Sequence, residues 1–150
     1  MMENKADRIV LERTYNAPIE VVWRAITDRE QLKQWYFDFP KEFKLEVGQS
    51  FDWHAGDNEH NQWLHRGKMV EIVPGKKLVH TWEYPGYSGT STVSWELSSV
   101  DAKTTKLLFT HLFNIPFDPT MDVFKRENFV QGWDHILNKG LVEFLQKQMS

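Results

Sequence analysis

The chain has 150 residues, the size of one ordinary domain, and such a length buries roughly two-thirds of the surface that the unfolded chain exposes. Its composition is 41% hydrophobic and unusually aromatic, with seven Trp, four Tyr and ten Phe. The 18 basic residues form no stripe against the 21 acidic ones, so we predict no nucleic-acid partner. The absence of cysteine excludes disulfides, thiolate nucleophiles and Cys-ligated zinc.

The N-terminal residues 1–7 are polar and run directly into a strand pattern. They contain no apolar stretch of the length that a signal peptide or a membrane-spanning helix requires. We therefore expect a soluble, cytoplasmic protein that does not insert into membranes.

The first predicted elements are a strand and two short helices. Residues 8–15 (RIVLERTY) mix β-branched and aromatic residues with charges, which is typical of a strand with one covered face. Pro18 predicts the start of an amphipathic helix, because its missing N–H costs nothing at the first helical position. A second short helix begins at Asp28 and directs Leu32 and Trp35 towards the core.

Six further strands are predicted between residues 43 and 113, where Gly, Pro, Asn and Asp separate short apolar runs. They are FKLEV (43–47), SFDWHA (50–55), WLHRGKMVEIV (63–73), KLVHTWEY (77–84), STVSWELSS (91–99) and KLLFTHLF (106–113). The short turns at 47–49 and 74–76 predict hairpins, so neighbouring strands should be antiparallel. With the first strand, the sheet would have seven strands.

A long helix is predicted from Met121 almost to the end of the chain. Its apolar residues recur every three or four positions and form one stripe: Phe129, Val130, Trp133, Leu137, Leu141, Phe144 and Leu145. Gly132 and Gly140 lie inside this helix at a cost on the order of 1 kcal/mol each relative to Ala. Their presence indicates close backbone approach or open space beside the helix.

This order of elements predicts an α+β fold in a single domain spanning residues 1–150. A curved, seven-stranded antiparallel sheet with one long helix to cover it must wrap around that C-terminal helix. A curled sheet and one helix leave a cavity unless side chains fill it. We predict that the many aromatic side chains line that cavity.

Four stretches of the sequence resemble the helix-grip superfamily, which includes START lipid-transfer domains, the birch-pollen-allergen family and polyketide cyclases. They are NAPIEVVWRAITDREQLKQWY, GKMVEIVPGKKLVHTW, STVSWEL with KLLFTH, and FVQGWDHILNKGLVEFL, in the order that the family shows. Within the superfamily the chain is most similar to the branch related to the activator of the heat-shock protein 90 ATPase. The resemblance implies the helix-grip fold, whereas this fold hosts many functions.

The candidate ligand-binding residues are large or polarisable side chains that could meet the long helix. Residues two apart on a strand share one face, so they are predicted to line the cavity together. The predicted set is Trp35, Phe51, Trp53, Met69, Glu71, His80, Trp82, Val93, Trp95, Phe109, His111, Phe129, Trp133, Leu137 and Leu141. Both faces of strand 63–73 carry apolar residues, so the sequence does not determine which face points into the cavity.

Two alternative chemistries involve the polar residues. If Glu71 and His111 faced each other, they would form a general acid and base for an aldol-type cyclisation, as the resemblance to cyclases allows. His54, Asp57, His60 and His65 carry metal-ligating groups, but most of them fall in a polar loop and their spacing matches no defensible site. We therefore predict no metal and no cofactor.

Three functions are compatible with these features. We favour the binding of a small hydrophobic or aromatic molecule, lipid-like or polyketide-like, between sheet and helix. The alternative is a cyclase or dehydrase that uses the same cavity. The second alternative, a chaperone partner, follows from the resemblance; eukaryotic members of that branch pair this domain with a separate N-terminal one, so we do not expect this chain to stimulate a chaperone ATPase.

Overall fold

The structure is a computed structural model that describes residues 7–58 and 61–150. Its strands are β1 (Arg8–Tyr15), β2 (Ser50–Asn58), β3 (Asn61–Val73), β4 (Lys77–Trp82), β5 (Thr90–Asp101) and β6 (Thr104–Ile115). Its helices are α1 (Ile19–Thr27), α2 (Arg29–Trp35), α3 (Arg126–His135) and α4 (Leu141–Met149). A π-helical turn, Ile136–Gly140, joins α3 to α4, and we call residues 126–149 the C-terminal helix. None of the helices in the described ranges has the length and apolarity to cross a bilayer.

Across the described ranges the strands form one curved antiparallel sheet of six strands in the order β1-β6-β5-β4-β3-β2. The α+β class and the presence of a C-terminal helix are as predicted, whereas the predicted seven strands are one too many. The helix begins at Arg126 and not at Met121, because a 3-10 turn, Asp122–Phe124, precedes it. The predicted hairpin between β3 and β4 is confirmed: the Lys76 amide donates to the Val73 carbonyl oxygen at 2.9 Å. Gly75 has a φ of 77°, a left-handed conformation that favours glycine in such a turn.

The segment FKLEV (43–47), predicted as a strand, is irregular in the structure. The Phe43 ring stacks on Phe39 with centroids 5.0 Å apart and meets Phe51 edge-on at 5.2 Å. Phe43 and Leu45 therefore pack on the core without joining the ladder, whereas Val47 is exposed. Backbone pairing with β3 begins only where the Gly48 amide donates to the Met69 carbonyl oxygen. Period-two hydrophobicity alone does not distinguish such a loop from a strand.

The C-terminal helix buries the predicted stripe of Phe129, Trp133, Leu137, Leu141, Phe144 and Leu145. The first four residues are spaced by four positions, and at 3.6 residues per turn such spacing drifts around an α-helix. The wider i→i+5 turn at Ile136–Gly140 offsets that drift and keeps Leu141 buried. Tyr15 of β1 donates its hydroxyl proton to the Leu137 carbonyl oxygen at 2.8 Å, which satisfies a backbone group of this turn.

A continuous line of hydrogen bonds crosses the core from the C-terminal helix to β4. Trp133 Nε1 donates to His111 Nδ1 at 3.0 Å, so His111 Nε2 carries the ring proton and donates to Ser91 Oγ at 2.8 Å. Ser91 Oγ donates in turn to the Trp82 carbonyl oxygen at 2.6 Å. We call these four residues the core hydrogen-bond chain. It is complete only while His111 is neutral, and burial, with a smaller effect of His80, lowers the pKa of His111 to about 3.

Two more inward-facing histidines are held neutral in the same way. His80 Nε2 accepts from Trp95 Nε1 at 3.4 Å, and its Nδ1 donates to the Thr81 carbonyl oxygen at 2.9 Å. His65 Nδ1 donates to the Trp63 carbonyl oxygen at 2.7 Å. Burial lowers the pKa of both imidazoles to about 4. His65, His80 and His111 are therefore uncharged in the folded protein at neutral pH.

We expect mild acid to destabilise the protein through these three histidines. Below their unfolded pKa of about 6.5, the unfolded chain takes up protons that the folded chain does not bind until about pH 4 or below. At pH 5.5 the free energy of unfolding should fall by about 1.4 kcal/mol per histidine, or about 4 kcal/mol in total, relative to pH 7.5. Urea unfolding at the two pH values measures this loss.

The control for this measurement is His54→Gln, because His54 is exposed on β2. This variant keeps all three buried histidines, so it should also lose stability between pH 7.5 and 5.5. A free energy of unfolding that is the same at both pH values would contradict the burial of neutral imidazoles.

The second prediction concerns Gly67, which is buried on β3 beneath the Phe51 ring. A Cβ at Gly67 would lie 2.6 Å from Phe51 Cζ and 3.0 Å from the Thr81 carbonyl oxygen, and the latter is backbone that cannot turn away. Gly67→Ala should therefore lower the free energy of unfolding by about 1–3 kcal/mol. At Gly132 a Cβ would meet nothing within 4 Å, so Gly132→Ala should instead raise it by up to about 1 kcal/mol. Equal stability of the two variants in urea would refute this assignment.

Candidate ligand-binding cleft

We predicted a ligand cavity between the sheet and the C-terminal helix, and the middle of that interior is filled by aromatic side chains. They come from the segment between α2 and β2, and we call its residues 36–43 the aromatic linker. Phe37 and Phe39 lie 5.8 and 5.2 Å from the Trp53 ring, and Tyr36 lies 5.9 Å from Trp95. The void left beside Trp95 has a volume of about 20 Å³, room for about one water molecule. The middle of the interior therefore has no room for a ligand.

A larger opening lies at one end of the interior. It is a cleft of about 610 Å³ between the C-terminal helix and the adjoining ends of β3 and β4, and its volume is typical of small-molecule sites. We call it the end cleft. Its walls are mostly apolar and its rim is polar, and the lining residues are Gly56, Trp63, Trp82, Tyr84, Asp122, Val123, Asn128, Phe129, Gly132, Trp133 and Ile136.

Two tryptophans lie at the junction of the end cleft and the core. The rings of Trp82 and Trp133 meet at 5.2 Å with an interplanar angle of 64°. Both residues also belong to the core hydrogen-bond chain, one through its carbonyl oxygen and the other through its indole N–H. The Trp82 indole N–H also donates to the Tyr84 hydroxyl oxygen at 3.0 Å, so hydrogen bonds as well as packing hold both rings.

The local sequence explains how these side chains reach the cleft. Trp82 and Tyr84 are two residues apart, so they share the inward face of β4 and its continuation. The pairing with β3 extends past the end of β4, because the backbones of Arg66 and Glu83 exchange hydrogen bonds of 2.8 and 2.9 Å. The helical wall consists of positions spaced by three or four residues, namely Phe129, Gly132, Trp133 and Ile136.

Tyr84 brings a buried hydroxyl to the wall of the cleft. It is 5% exposed, and its oxygen accepts a hydrogen bond from Trp82 Nε1 at 3.0 Å. Burial raises the pKa of Tyr84 well above its ordinary value, more than the Trp82 hydrogen bond lowers it, so the hydroxyl keeps its proton. His65 supports this wall from behind, with its ring 4.7 Å from Tyr84 and 5.1 Å from Trp82.

The rim of the cleft is polar and exposed. The Lys125 ammonium lies 2.9 Å from the Asp122 carboxylate, which raises the pKa of the lysine. The Asn128 amide nitrogen donates to the Asp122 backbone carbonyl oxygen. These contacts join the turn before α3 to the first residues of the helix, so they shape the mouth of the cleft.

The fifteen predicted site residues separate into groups. Trp82, Phe129 and Trp133 line the end cleft, and Phe51, Met69, His80 and Trp95 line the small interior void. Others are buried in the core, where they support the cleft without lining it: Trp53, Val93, Phe109, His111, Leu137 and Leu141. Trp35 is half-buried and donates its indole N–H to the Ala25 carbonyl oxygen at 2.8 Å, which joins α2 to α1.

Glu71 is the predicted site residue that the structure places outside the interior. A β-bulge between Met69 and Glu71 adds Val70 to the strand, and the alternation of side chains reverses there. Met69 before the bulge is buried, Ile72 after it packs on the core, and Glu71 faces solvent. The Glu71 side chain is 49% exposed and lies 3.3 Å from Lys77 Nζ. Simple alternation from Met69 cannot anticipate this reversal.

Neither alternative chemistry finds its residues assembled. Glu71 lies on the solvent face and His111 is fully buried on the core face, so the two do not form an acid–base pair. Of the proposed metal ligands, His54 is exposed on β2 while His65 is buried among aromatic rings. His60 and the side chain of Asp57 lie outside the described residues. Within residues 7–58 and 61–150, no three acidic or histidine side chains are grouped as a metal site.

Sequence reasoning missed several lining residues although a signal was present for three of them. Tyr84 follows Trp82 by two residues in a strand, and Ile136 follows Trp133 by three in a helix, so periodicity places both beside predicted residues. Gly132 was recognised as a sign of open space, and it does line the cleft. The rim residues before α3 carry no such signal, because their position depends on an irregular connection.

Comparisons with known proteins agree with this fold. The family model described as Activator of Hsp90 ATPase homolog 1-like protein matches residues 16–146. Protein CV1439 from Chromobacterium violaceum is 24% identical with a TM-score of 0.77, and the match covers 93% of this chain and 96% of that one. An HSP90 activator from Plasmodium falciparum is 23% identical with a TM-score of 0.74, and the match covers 94% and 97%.

DynU16, a protein of the dynemicin biosynthetic locus, is 20% identical with a TM-score of 0.75; the match covers 95% of this chain but 48% of DynU16. At these identities the structural likeness shows the fold alone. No curated protein matches the sequence. The family match extends over most of the chain, from the end of β1 into α4. The chain therefore belongs to the family of Activator of Hsp90 ATPase homolog 1-like proteins.

Proposed function

We propose that this protein binds a small, flat apolar molecule in the end cleft. The observation that carries the proposal is a cleft of about 610 Å³ whose inner walls are aromatic. Ligand sites in proteins are typically concave, largely apolar and few in number. Indole and phenyl faces favour a planar partner, because offset stacking adds to the gain from buried area.

Gly132 supports the proposal from the helical side. A Cβ at this position would meet nothing within 4 Å, so the helix has open space in front of it. Glycine in a helix costs about 1 kcal/mol relative to alanine. No packing contact fills the space in front of Gly132, so this part of the helical wall is open to a ligand.

The support for a preformed site comes from the hydrogen bonds of two indole rings. The Trp133 indole N–H donates to His111, and the Trp82 indole N–H donates to the Tyr84 hydroxyl oxygen. Their rings therefore do not need to be ordered when a ligand arrives. Because ordering side chains costs free energy on binding, a preformed wall favours affinity.

A second candidate function is that of a chaperone partner. Its support is the family membership together with the likeness to the Plasmodium falciparum HSP90 activator. The end cleft is a feature of this chain's own geometry, so we rank ligand binding first. The measurement that tests the second candidate is the ATPase rate of a purified heat-shock protein 90 homologue with and without this protein; an unchanged rate would remove it.

The test of the proposed function is to fill the end cleft from the helix. Gly132→Trp places an indole in the open space without a clash at Cβ, so the fold should be retained. Equilibrium dialysis with fluorene should show saturable binding to the unmodified protein. The affinity of Gly132→Trp for fluorene should be lower by a factor of about ten or more. That loss corresponds to about 1.4 kcal/mol, within the usual cost of overfilling a packed site.

The matched control is Gly132→Ala, which adds one methyl group to the same position. It should keep fluorene binding and gain a little stability in urea. The proposal fails if fluorene does not bind the unmodified protein saturably, or if Gly132→Trp folds and binds it as tightly as Gly132→Ala does.

A further inference from the structure

Tyr84 has a buried hydroxyl that accepts one hydrogen bond and donates none within the described residues. The hydroxyl oxygen accepts the Trp82 indole N–H at 3.0 Å. Within the described part of the chain, Tyr84 donates to no acceptor, and the group is 5% exposed. A buried donor without a partner costs free energy that a ligand oxygen would recover. Because Tyr84 lines the end cleft, a ligand there is within reach of this donor.

The surroundings of Tyr84 restrict the chemistry of such a ligand. The neighbouring walls are apolar, namely Trp63, Phe129, Trp133 and Ile136. None of the described residues that line the cleft is basic, and its one carboxylate belongs to Asp122 at the exposed rim. A carboxylate or phosphate ligand would lose its hydration without gaining a buried cation. The cleft therefore favours an uncharged molecule.

We propose that the end cleft selects neutral aromatic ketones over hydrocarbons of the same shape, with the Tyr84 hydroxyl as the hydrogen-bond donor that determines this specificity. This inference rests on the proposed function, since it assumes that the ligand occupies the end cleft. The ligand's carbonyl oxygen accepts a hydrogen bond from the Tyr84 hydroxyl, and the aromatic body packs on the indole and phenyl walls. Trp82 sets the direction of the hydroxyl proton because its N–H occupies one lone pair of the hydroxyl oxygen.

Matched probes isolate the hydrogen bond. 9-Fluorenone and fluorene share one ring system and differ by a carbonyl in place of a methylene group. Equilibrium dialysis should show that Tyr84→Phe weakens 9-fluorenone binding about fivefold and changes fluorene binding by less than about twofold. A neutral hydrogen bond has a net value of ~1 kcal/mol, and 1.4 kcal/mol corresponds to a factor of ten in affinity, so its loss weakens binding about fivefold.

The control variant is Tyr36→Phe. The Tyr36 hydroxyl is also buried without a hydrogen-bond partner in the described structure, but Tyr36 lines the small interior void and not the end cleft. Its removal should leave the affinity for both probes unchanged. This control separates the loss of a specific donor from the general effect of deleting a buried hydroxyl.

Tyr84→Phe leaves the Trp82 indole N–H without its acceptor, so its fold could be affected. A second readout, the carbonyl stretch of the bound probe, is therefore measured first on the unmodified protein. The carbonyl stretch of 9-fluorenone bound to the unmodified protein should lie at a lower wavenumber than in hexane, because hydrogen bonding weakens the C=O bond. In Tyr84→Phe the band should return to its hexane position, and in Tyr36→Phe it should stay shifted.

The outcomes distinguish this inference from the function on which it rests. If both probes bind saturably and the carbonyl band lies at its hexane position, the role of Tyr84 is refuted while ligand binding stands. The same conclusion follows if Tyr84→Phe weakens both probes equally. If neither probe binds the unmodified protein, the proposed function fails and this inference fails with it.

Discussion

The structure depends on the core hydrogen-bond chain that runs from Trp133 through His111 and Ser91 to Trp82. Burial of these polar groups would be costly if any one lacked a partner, and here each donor meets an acceptor at 2.6–3.0 Å. Apolar burial alone would let the helix slide or rotate on the sheet. The directed bonds set its orientation, and because the two terminal tryptophans also line the end cleft, they fix the site together with the fold.

The position of the aromatic linker determines which part of the interior remains unfilled. A curled sheet cannot close on one helix by itself, and rings from this linker fill the middle of the interior. Tyr36, Phe37 and Phe39 thus account for much of the aromatic excess without forming a ligand site. The unfilled volume lies where the linker does not reach, between the C-terminal helix and the ends of β3 and β4. Aromatic side chains therefore both fill the core and form the walls of the cleft.

Membership of the family establishes the fold, and the features that bear on function come from this chain's own side chains. Gly132 leaves room in front of the helix, and Tyr84 presents the buried donor. The buried histidines are neutral, so their hydrogen bonds are satisfied at neutral pH, and protonation by acid would destabilise the folded protein. Under the proposed function, a neutral aromatic ligand would fit this environment better than an ion, because the walls offer stacking surface and no buried counter-charge.

Hydrophobic periodicity by itself determined most of the fold: the first strand, the two short helices, the order of the later strands and the buried stripe of the C-terminal helix. It also indicated Trp82, Phe129 and Trp133, which line the cleft, and marked Gly132 as a position of close approach or open space. Only the tertiary structure decided that segment 43–47 is a loop and that the bulge at Val70 turns Glu71 to solvent. It also decided that the aromatic linker fills the middle and leaves the cleft at one end. Periodicity reports which residues share a face, whereas a bulge, a loop and an unfilled volume depend on how distant segments meet.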